Sequence, residues 1–282
     1  MKKNETVANM LAWAIYRLGD VSETPRLDAE LLLRHVLSWS HARVIAEQKA
    51  IPSTVQSEAF RSLVERRAQH ESIAYIVGHK EFYGLDFVVN VSVLVPRPET
   101  ELLVELAIQH THRLQRPLHI ADIGTGSGCI AVTLATHLPD VMLYAVDISP
   151  DALKVAAENA ARHNVTEKVQ LMHGDLVMPL GDPMDMIVSN PPYTILSEID
   201  VGVREHEPHL ALDGGADGLA VYRRLLAAAS SKLPADGVVL LEIGATQGDD
   251  VMALARVYFP SAQISVHQDL ADHDRVVTIR NS

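Results

Sequence analysis

From Leu118 to Arg280 the chain repeats one pattern, and that pattern restricts the fold more than any other feature. Short apolar runs rich in β-branched residues alternate with longer amphipathic stretches. The runs predict strands at 118–123, 141–147, 168–173, 184–189, 237–243, 262–267 and 275–280. The stretches predict helices at 127–138, 150–163, 217–232 and 247–258. Strands that are apolar on both sides and joined through helices need cover on both faces, so they form a parallel sheet between helical layers. The last two runs lie too close together for a crossover helix, so the final strand is expected to be antiparallel.

The residues before this region read differently. Leu11, Ile15 and Leu18 recur at helical spacing, as do Leu27, Leu31 and Val36 after Pro25, and Val55, Ala59 and Leu63 after Pro52. Together they predict a small helical bundle. Aromatic and β-branched residues from Tyr75 to Val95, punctuated by Gly78 and Gly84, predict a short hairpin. Pro96-Arg97-Pro98 stops it, and a helix is expected from Glu99 to Ile108. The expected organisation is a helical domain at 1–79, a hairpin linker at 80–98 and an α/β domain at 99–282.

Composition narrows the functional classes. The single cysteine, Cys129, excludes an internal disulfide framework and suits a reducing compartment. No apolar run approaches the roughly 18 residues of a membrane span. Lys2-Lys3 followed by the seven apolar-rich residues Met10 to Tyr16 is too short a pattern for a signal peptide, so a cytoplasmic protein is expected. The net charge of −12 is uneven. Residues 1–80 carry 11 basic and 9 acidic side chains, whereas residues 81–282 carry 13 and 27. So acidic a domain repels a phosphate backbone, which argues against direct DNA binding.

The first expected strand leads into Gly124-Thr125-Gly126-Ser127-Gly128 and then an apolar helix. A glycine turn between strand and helix lets the backbone approach a ligand closely and turns free N–H groups towards it. Asp147 ends the second strand, where a carboxylate can accept from both hydroxyls of a ribose. Asp175, after the third strand, can accept from an adenine amine while Leu176 packs on the ring. With Asp122, Gly124, Thr125, Gly126, Ser127 and Gly128, these residues predict an adenosine-containing cofactor. No lysine or arginine lies near the loop in sequence, so a phosphate is not required.

The fourth strand ends in Asn190-Pro191-Pro192-Tyr193. Two prolines fix the backbone and remove two donors, leaving the Asn190 side-chain oxygen and the Pro191 carbonyl as acceptors beside an aromatic ring. That set suits a planar NH2 group. The motif resembles the signature of amino methyltransferases acting on planar nitrogens, a group that includes adenine methyltransferases and the PrmC/HemK family. Other segments resemble the PrmC/HemK pattern specifically: Arg66-Arg67, Ala74-Tyr75-Ile76, Glu81-Phe82-Tyr83-Gly84-Leu85, Leu94 to Glu101 through Pro-Arg-Pro-Glu-Thr-Glu, and Glu205-His206-Glu207-Pro208. Ser72 departs from the family's usual proline.

This resemblance implies a seven-stranded class I methyltransferase (Rossmann-like) sheet behind an N-terminal helical bundle domain. It implies transfer of a methyl group from S-adenosyl-L-methionine to the glutamine amide in the Gly-Gly-Gln loop of class I peptide chain release factors, giving S-adenosyl-L-homocysteine. Asn190, Pro191, Pro192 and Tyr193 would then hold the substrate, with Asn190 also next to the cofactor. An adenine methyltransferase acting on DNA, or a non-catalytic adenosine-binding module, are the competing readings.

The remaining reactive residues read as ordinary. His206 and His209 lack the repeated spacing of a metal site, so no metal is expected. Cys129 reads as a packed thiol. Arg97 and Glu101 are candidates either to close over the cofactor or to form a surface ion pair.

Overall fold

The computed structural model describes residues 5–112 and 117–281, which fall into two compact units. Lys2 and Lys3 lie outside the described residues.

The first unit is helical: α1 (Val7–Leu18), α2 (Pro25–Leu37), α3 (His41–Ala46), α4 (Thr54–Arg67) and α5 (Ile73–Val77). Local chemistry sets the ends of these helices. Thr6 and Ser40 accept backbone N–H bonds at the starts of α1 and α3, and Ser53 with Gln56 forms a reciprocal capping box on α4. Ser72, at the departure from the family's proline, caps α5 by accepting from the Ala74 N–H. The predicted apolar faces hold on α1 but shift on its neighbours. Leu27 and Val55 are exposed, while Leu32, Leu33, Phe60 and Val64 are fully buried with Met10, Ala14 and Leu18. The phase error has a simple cause: larger side chains one position along, Phe60 above all, bury more apolar area. The same unit includes residues 200–206, where a short helix is formed by Val201–His206 and His206 Nε2 donates to the Gln69 carbonyl at 2.8 Å.

The second unit opens with a hairpin, β1 (His79–Phe82) and β2 (Leu85–Val88). This is shorter than the hairpin expected over Tyr75–Val95. Tyr75 belongs to α5, which Gly78 ends at φ 83°. The pair Tyr83-Gly84, at φ 51° and 74°, makes the two-residue turn. Val91 to Val95 form no strand; Val93 and Val95 are buried in irregular backbone.

A 3₁₀ turn at Pro98–Thr100 and α6 (Glu101–Thr111) then lead to the sheet. Its elements are β3 (Leu118–Ile123), α7 (Cys129–His137), β4 (Val141–Asp147), α8 (Pro150–Arg162), β5 (Val169–His173) and β6 (Met186–Ser189). After the short helix α9 (Val201–His206) of the first unit come α10 (Ala220–Ala229), β7 (Val238–Glu242), α11 (Gly248–Tyr258), β8 (Gln263–Gln268) and β9 (Asp274–Arg280). The strand order is β5-β4-β3-β6-β7-β9-β8, with β9 antiparallel to both neighbours. Seven strands and an antiparallel last strand agree with expectation.

Alternate residues serve opposite layers. Ile120, Leu143 and Leu240 pack with α6, α7 and α8, while Ala121, Val146 and Leu241 pack with α10 and α11. The reversal of strand order between β3 and β6 places the carboxyl ends of β3, β4 and β6 around one crevice.

Asn159, fully buried on α8, joins the hairpin to the glycine loop. It accepts from the Val88 N–H at 2.7 Å and donates to the carbonyls of Val88 at 3.0 Å and Ser127 at 2.8 Å. Asn159→Ala leaves three backbone groups without this partner. It is expected to lower stability by about 3 kcal/mol, read as a reduced urea midpoint at unchanged slope.

Candidate active site

Parallel register aligns the two functional turns. Ile120, Ala121 and Asp122 pair with Met186, Ile187 and Val188, so β3 and β6 end level. The Ser189 hydroxyl donates to the Ile123 carbonyl at 2.6 Å and locks that level. The glycine turn therefore starts beside Asn190. Between them lies a cavity lined by residues from both turns and from the ends of β4 and β5.

On its floor, Gly124 and Gly126 adopt φ 74° and 54°, and a Cβ built on either would meet nothing within 4 Å. Both face open space at the cavity wall, so any side chain there would take up room a ligand needs. Gly128 differs. Its added Cβ would lie 3.2 Å from the Ala156 Cβ, so this glycine serves the contact of α7 with α8 and does not line the cavity.

Asp147 accepts from the N–H groups of Gly126 and Ser149, each at 2.8 Å. Ser149, not Asp147, caps α8 by accepting from the Ala152 N–H. Asp147 thus stands ionised at the cavity wall with its orientation fixed by two backbone donors. Leu176 lines the cavity in the left-handed region at φ 50°, a strained conformation for a leucine. Asp175 lines it too, but one oxygen is engaged by Arg224 of α10. Arg224 and Arg97 both line the cavity, although neither is close to the glycine loop in sequence. Both are neutralised by acids, Arg224 by Asp175 and Arg97 by the buried Glu207, so the wall offers no free cation. Arg97 does not pair with Glu101, whose carboxylate instead accepts the Tyr83 N–H at 2.9 Å.

Asp122 lies beneath the loop and away from the cavity. It accepts from the Thr125 hydroxyl at 2.6 Å and the Ala131 N–H at 3.2 Å, while Oδ1 is without a partner among the described residues. Burial, against those two bonds, raises its pKa to about 7. Its role here is to shape the glycine turn.

The Asn190 turn is held from below and from the side. Asn190 Nδ2 donates to the Thr100 hydroxyl at 3.2 Å, which leaves Oδ1 as the free end of the amide at the cavity. Pro192 lines the cavity, while Tyr193 packs into the lower core layer with its hydroxyl 3.4 Å from Glu242. Gln247 donates to the carbonyls of Tyr193 and Gly218. A Cβ on Gly214 would fall 2.7 Å from the Tyr193 backbone, so only glycine allows this close approach. Thr100, Glu242 and Gln247 were not singled out from sequence; each lies at least 49 residues from the motif atoms it supports or, for Thr100, in a segment noted only for its resemblance.

The other reactive residues are quiet. The Cys129 thiol is pushed up to about 12 by burial and by Asp122, so it is no nucleophile at neutral pH. No group of three metal-ligating side chains occurs among the described residues. No helix among them is long and apolar enough to cross a membrane.

Comparison with known proteins agrees with this geometry. Residues 9–78 match the PrmC N-terminal domain family, and residues 99–206 match the methyltransferase small domain family. The chain is 42% identical over 276 residues to the release factor glutamine methyltransferase of Moorella thermoacetica, covering 96% of each. The chain belongs to the release factor glutamine methyltransferase family. A second member, from Nitratidesulfovibrio vulgaris, is 38% identical across 98% of this chain and 96% of its own. The bifunctional methyltransferase of Rickettsia typhi is 37% identical over 90% of this chain, which spans only 53% of that longer protein. Among solved structures, the ribosomal protein L11 methylase of Lactobacillus delbrueckii subsp. bulgaricus shares the fold, with TM-score 0.51 and 22% identity over 69% of this chain and 84% of its own.

The pKa of Asp122 sets a pH dependence for this family member. A carboxyl raised from its ordinary range binds its proton more tightly when folded, so its contribution favours the fold below the ordinary range and is lost as pH rises towards 7. Thermal midpoints should therefore fall between about pH 5 and pH 8, and Asp122→Asn should flatten that fall. Melting curves across this range check the outcome.

Proposed function

We propose that this protein transfers the methyl group of S-adenosyl-L-methionine to the side-chain amide nitrogen of the glutamine in the Gly-Gly-Gln motif of class I peptide chain release factors, leaving S-adenosyl-L-homocysteine. Family membership supports the reaction class. The observation that carries the assignment of the acceptor is the Asn190 amide, whose nitrogen is committed to Thr100 and whose oxygen is free at the cavity.

The cavity wall fits an adenosine cofactor. Asp147 is the acceptor for ribose hydroxyls, the free oxygen of Asp175 the acceptor for the adenine amine, and Leu176 the apolar surface for the ring. The bare backbone of Gly124 to Ser127 leaves room for close approach. When bound, S-adenosylmethionine supplies a methyl group already activated on a sulfonium.

What remains for the protein is to place and polarise a poor nucleophile. An amide lone pair is delocalised into its carbonyl, so the nitrogen must be drawn towards tetrahedral geometry as positive charge develops on it. Asn190 Oδ1 and the Pro191 carbonyl accept the two amide hydrogens and stabilise that charge most when it is largest. Pro192 and Tyr193 fix the turn that carries both acceptors. The proton leaves nitrogen after transfer, and no metal enters the scheme. The helical domain at residues 1–79 docks the release factor, residues 80–98 link it, and residues 99–282 perform the transfer. A substrate that works at the ribosome places the reaction in the cytoplasm.

The test is incubation with labelled S-adenosylmethionine and a release factor, against the same factor with its motif glutamine replaced and against DNA. Label is expected on the intact factor alone; label on DNA would favour the adenine reading. Asp147→Ala should weaken cofactor binding at least about tenfold by calorimetry, since bonds to a charged acceptor contribute about 1.5–3 kcal/mol each. Asn190→Ala should bind cofactor nearly normally but lose about 10²–10³ in single-turnover rate.

A further inference from the structure

Beneath the Asn190 turn lies a carboxylate with no part in the mechanism above. Glu242 ends β7 and is 1% exposed. Its Oε1 accepts from the Tyr193 phenol at 3.4 Å, and Oε2 has no hydrogen bond of full geometry among the described residues. The Thr100 hydroxyl favours its ionised form. That hydroxyl oxygen is also the atom to which Asn190 Nδ2 donates.

The consequence follows from counting protons. A threonine hydroxyl has one proton to give. If it goes to Glu242, the oxygen is left solely as an acceptor and must meet the NH2 end of Asn190. The carbonyl end then faces the cavity. If Glu242 is protonated, the Thr100 proton is released and can be donated to Asn190 Oδ1. The amide can then turn over and present a donor where the substrate nitrogen needs an acceptor.

We infer that Glu242, acting through Thr100, is a positioning residue that fixes the Asn190 amide with its oxygen towards the substrate nitrogen. This rests on the reading of Asn190 as acceptor for a glutamine amide. Tyr193 adds a second donor to Glu242 without touching Asn190. The Tyr222 hydroxyl is spent on the Glu242 main-chain carbonyl at 2.7 Å and leaves the carboxyl alone.

The groups around the carboxyl set its titration. Burial raises its pKa to about 7; Thr100, Tyr193 and Arg275 of β9 oppose the rise, and Glu99, from the turn before α6, adds to it. Cys129 of α7 and Tyr222 of α10 also face it, both held neutral by their own raised pKa values. The ionised form is the positioning form, so turnover should fall as pH drops through about 7.

The experiment is single-turnover methylation of a release factor by the full-length protein from roughly pH 6 to pH 9, at saturating cofactor and factor. It compares wild type with Glu242→Gln, Thr100→Ala and Thr100→Ser, and adds cofactor titrations and thermal melts for each. Glu242→Gln and Thr100→Ala should lose about 10²-fold in rate at pH 8, the scale of a misplaced reacting group, with cofactor affinity and half-saturation by the factor changed less than about threefold. The acid limb near neutrality should vanish in Glu242→Gln, and Thr100→Ser should restore both rate and limb. An unchanged limb in Glu242→Gln, or Thr100→Ala within about threefold of wild type, overturns the inference. Should Glu242→Gln fail to fold, the Thr100 pair decides alone. Wild type that cannot methylate the factor overturns the proposed function and this inference with it; an active wild type with unaffected variants overturns the inference only.

Discussion

The parallel pairing of β3 with β6 is the constraint on which the rest of the site depends. Because Asp122 pairs with Val188, the strands run out together, and the residues that follow, Gly124 on one and Asn190 on the other, begin at the same height. A one-residue slip would invert every side chain on β6 and carry Asn190 away from the crevice. The slip is opposed on both faces at once, since Met186 and Val188 fill one core layer and Ile187 fills the other. The Ser189 bond to the Ile123 carbonyl adds a specific lock at the strand ends. Site geometry is thus inherited from sheet packing, and the polar residues of the turn need only refine it.

How much of this could be read from residues depends on the range of the interaction. The sheet was legible because its cause is local: apolar runs of strand length between helical stretches recur seven times, and a short last connection allows only an antiparallel strand. The glycine turn, Asp147 and the Asn190 motif were legible because each lies at a strand end, where such a sheet binds ligands. The hairpin was overextended because Val91, Val93 and Val95 have strand-like composition, but no partner strand lies opposite them. In the helical unit, periodicity located α2 and α4 correctly yet chose the wrong stripe, since Leu27 and Val55 satisfy the spacing and are nonetheless exposed. Spacing identifies a helix; which face is buried is settled by the volume that neighbouring helices can accommodate.

Long-range polar contacts were not legible at all. Arg97 was paired in expectation with a residue four positions away, whereas its partner is Glu207, 110 residues on. The difference is physical. An exposed pair one helical turn apart contributes little, while Glu207 is buried and requires a cation. Glu207 also accepts from the Val95 N–H, so this one carboxylate ties the segment after residue 206 to the linker before α6. Gln247 acts similarly on the other side, holding the Tyr193 and Gly218 carbonyls from the start of α11.

The two acids under the site show what such an arrangement requires of the fold. Asp122 and Glu242 are each buried at strand ends with one oxygen unpaired among the described residues, and both are raised to about 7. A fold optimised only for stability would replace them with apolar residues, because a buried carboxylate without full hydrogen bonding is unfavourable in any ionisation state. Neither lies where it could touch a ligand, so direct binding does not explain them. Each instead touches the residues that do: Asp122 through Thr125 and the Ala131 N–H at the glycine turn, Glu242 through Thr100 and Tyr193 at the Asn190 turn. A low-dielectric interior makes a single charge strong enough to orient a hydroxyl or an amide firmly, which neutral packing cannot do. The continuous apolar layers on both faces of the sheet supply the stability that offsets these two charges. The same burial that raises their pKa values is therefore what gives them control over the turns above.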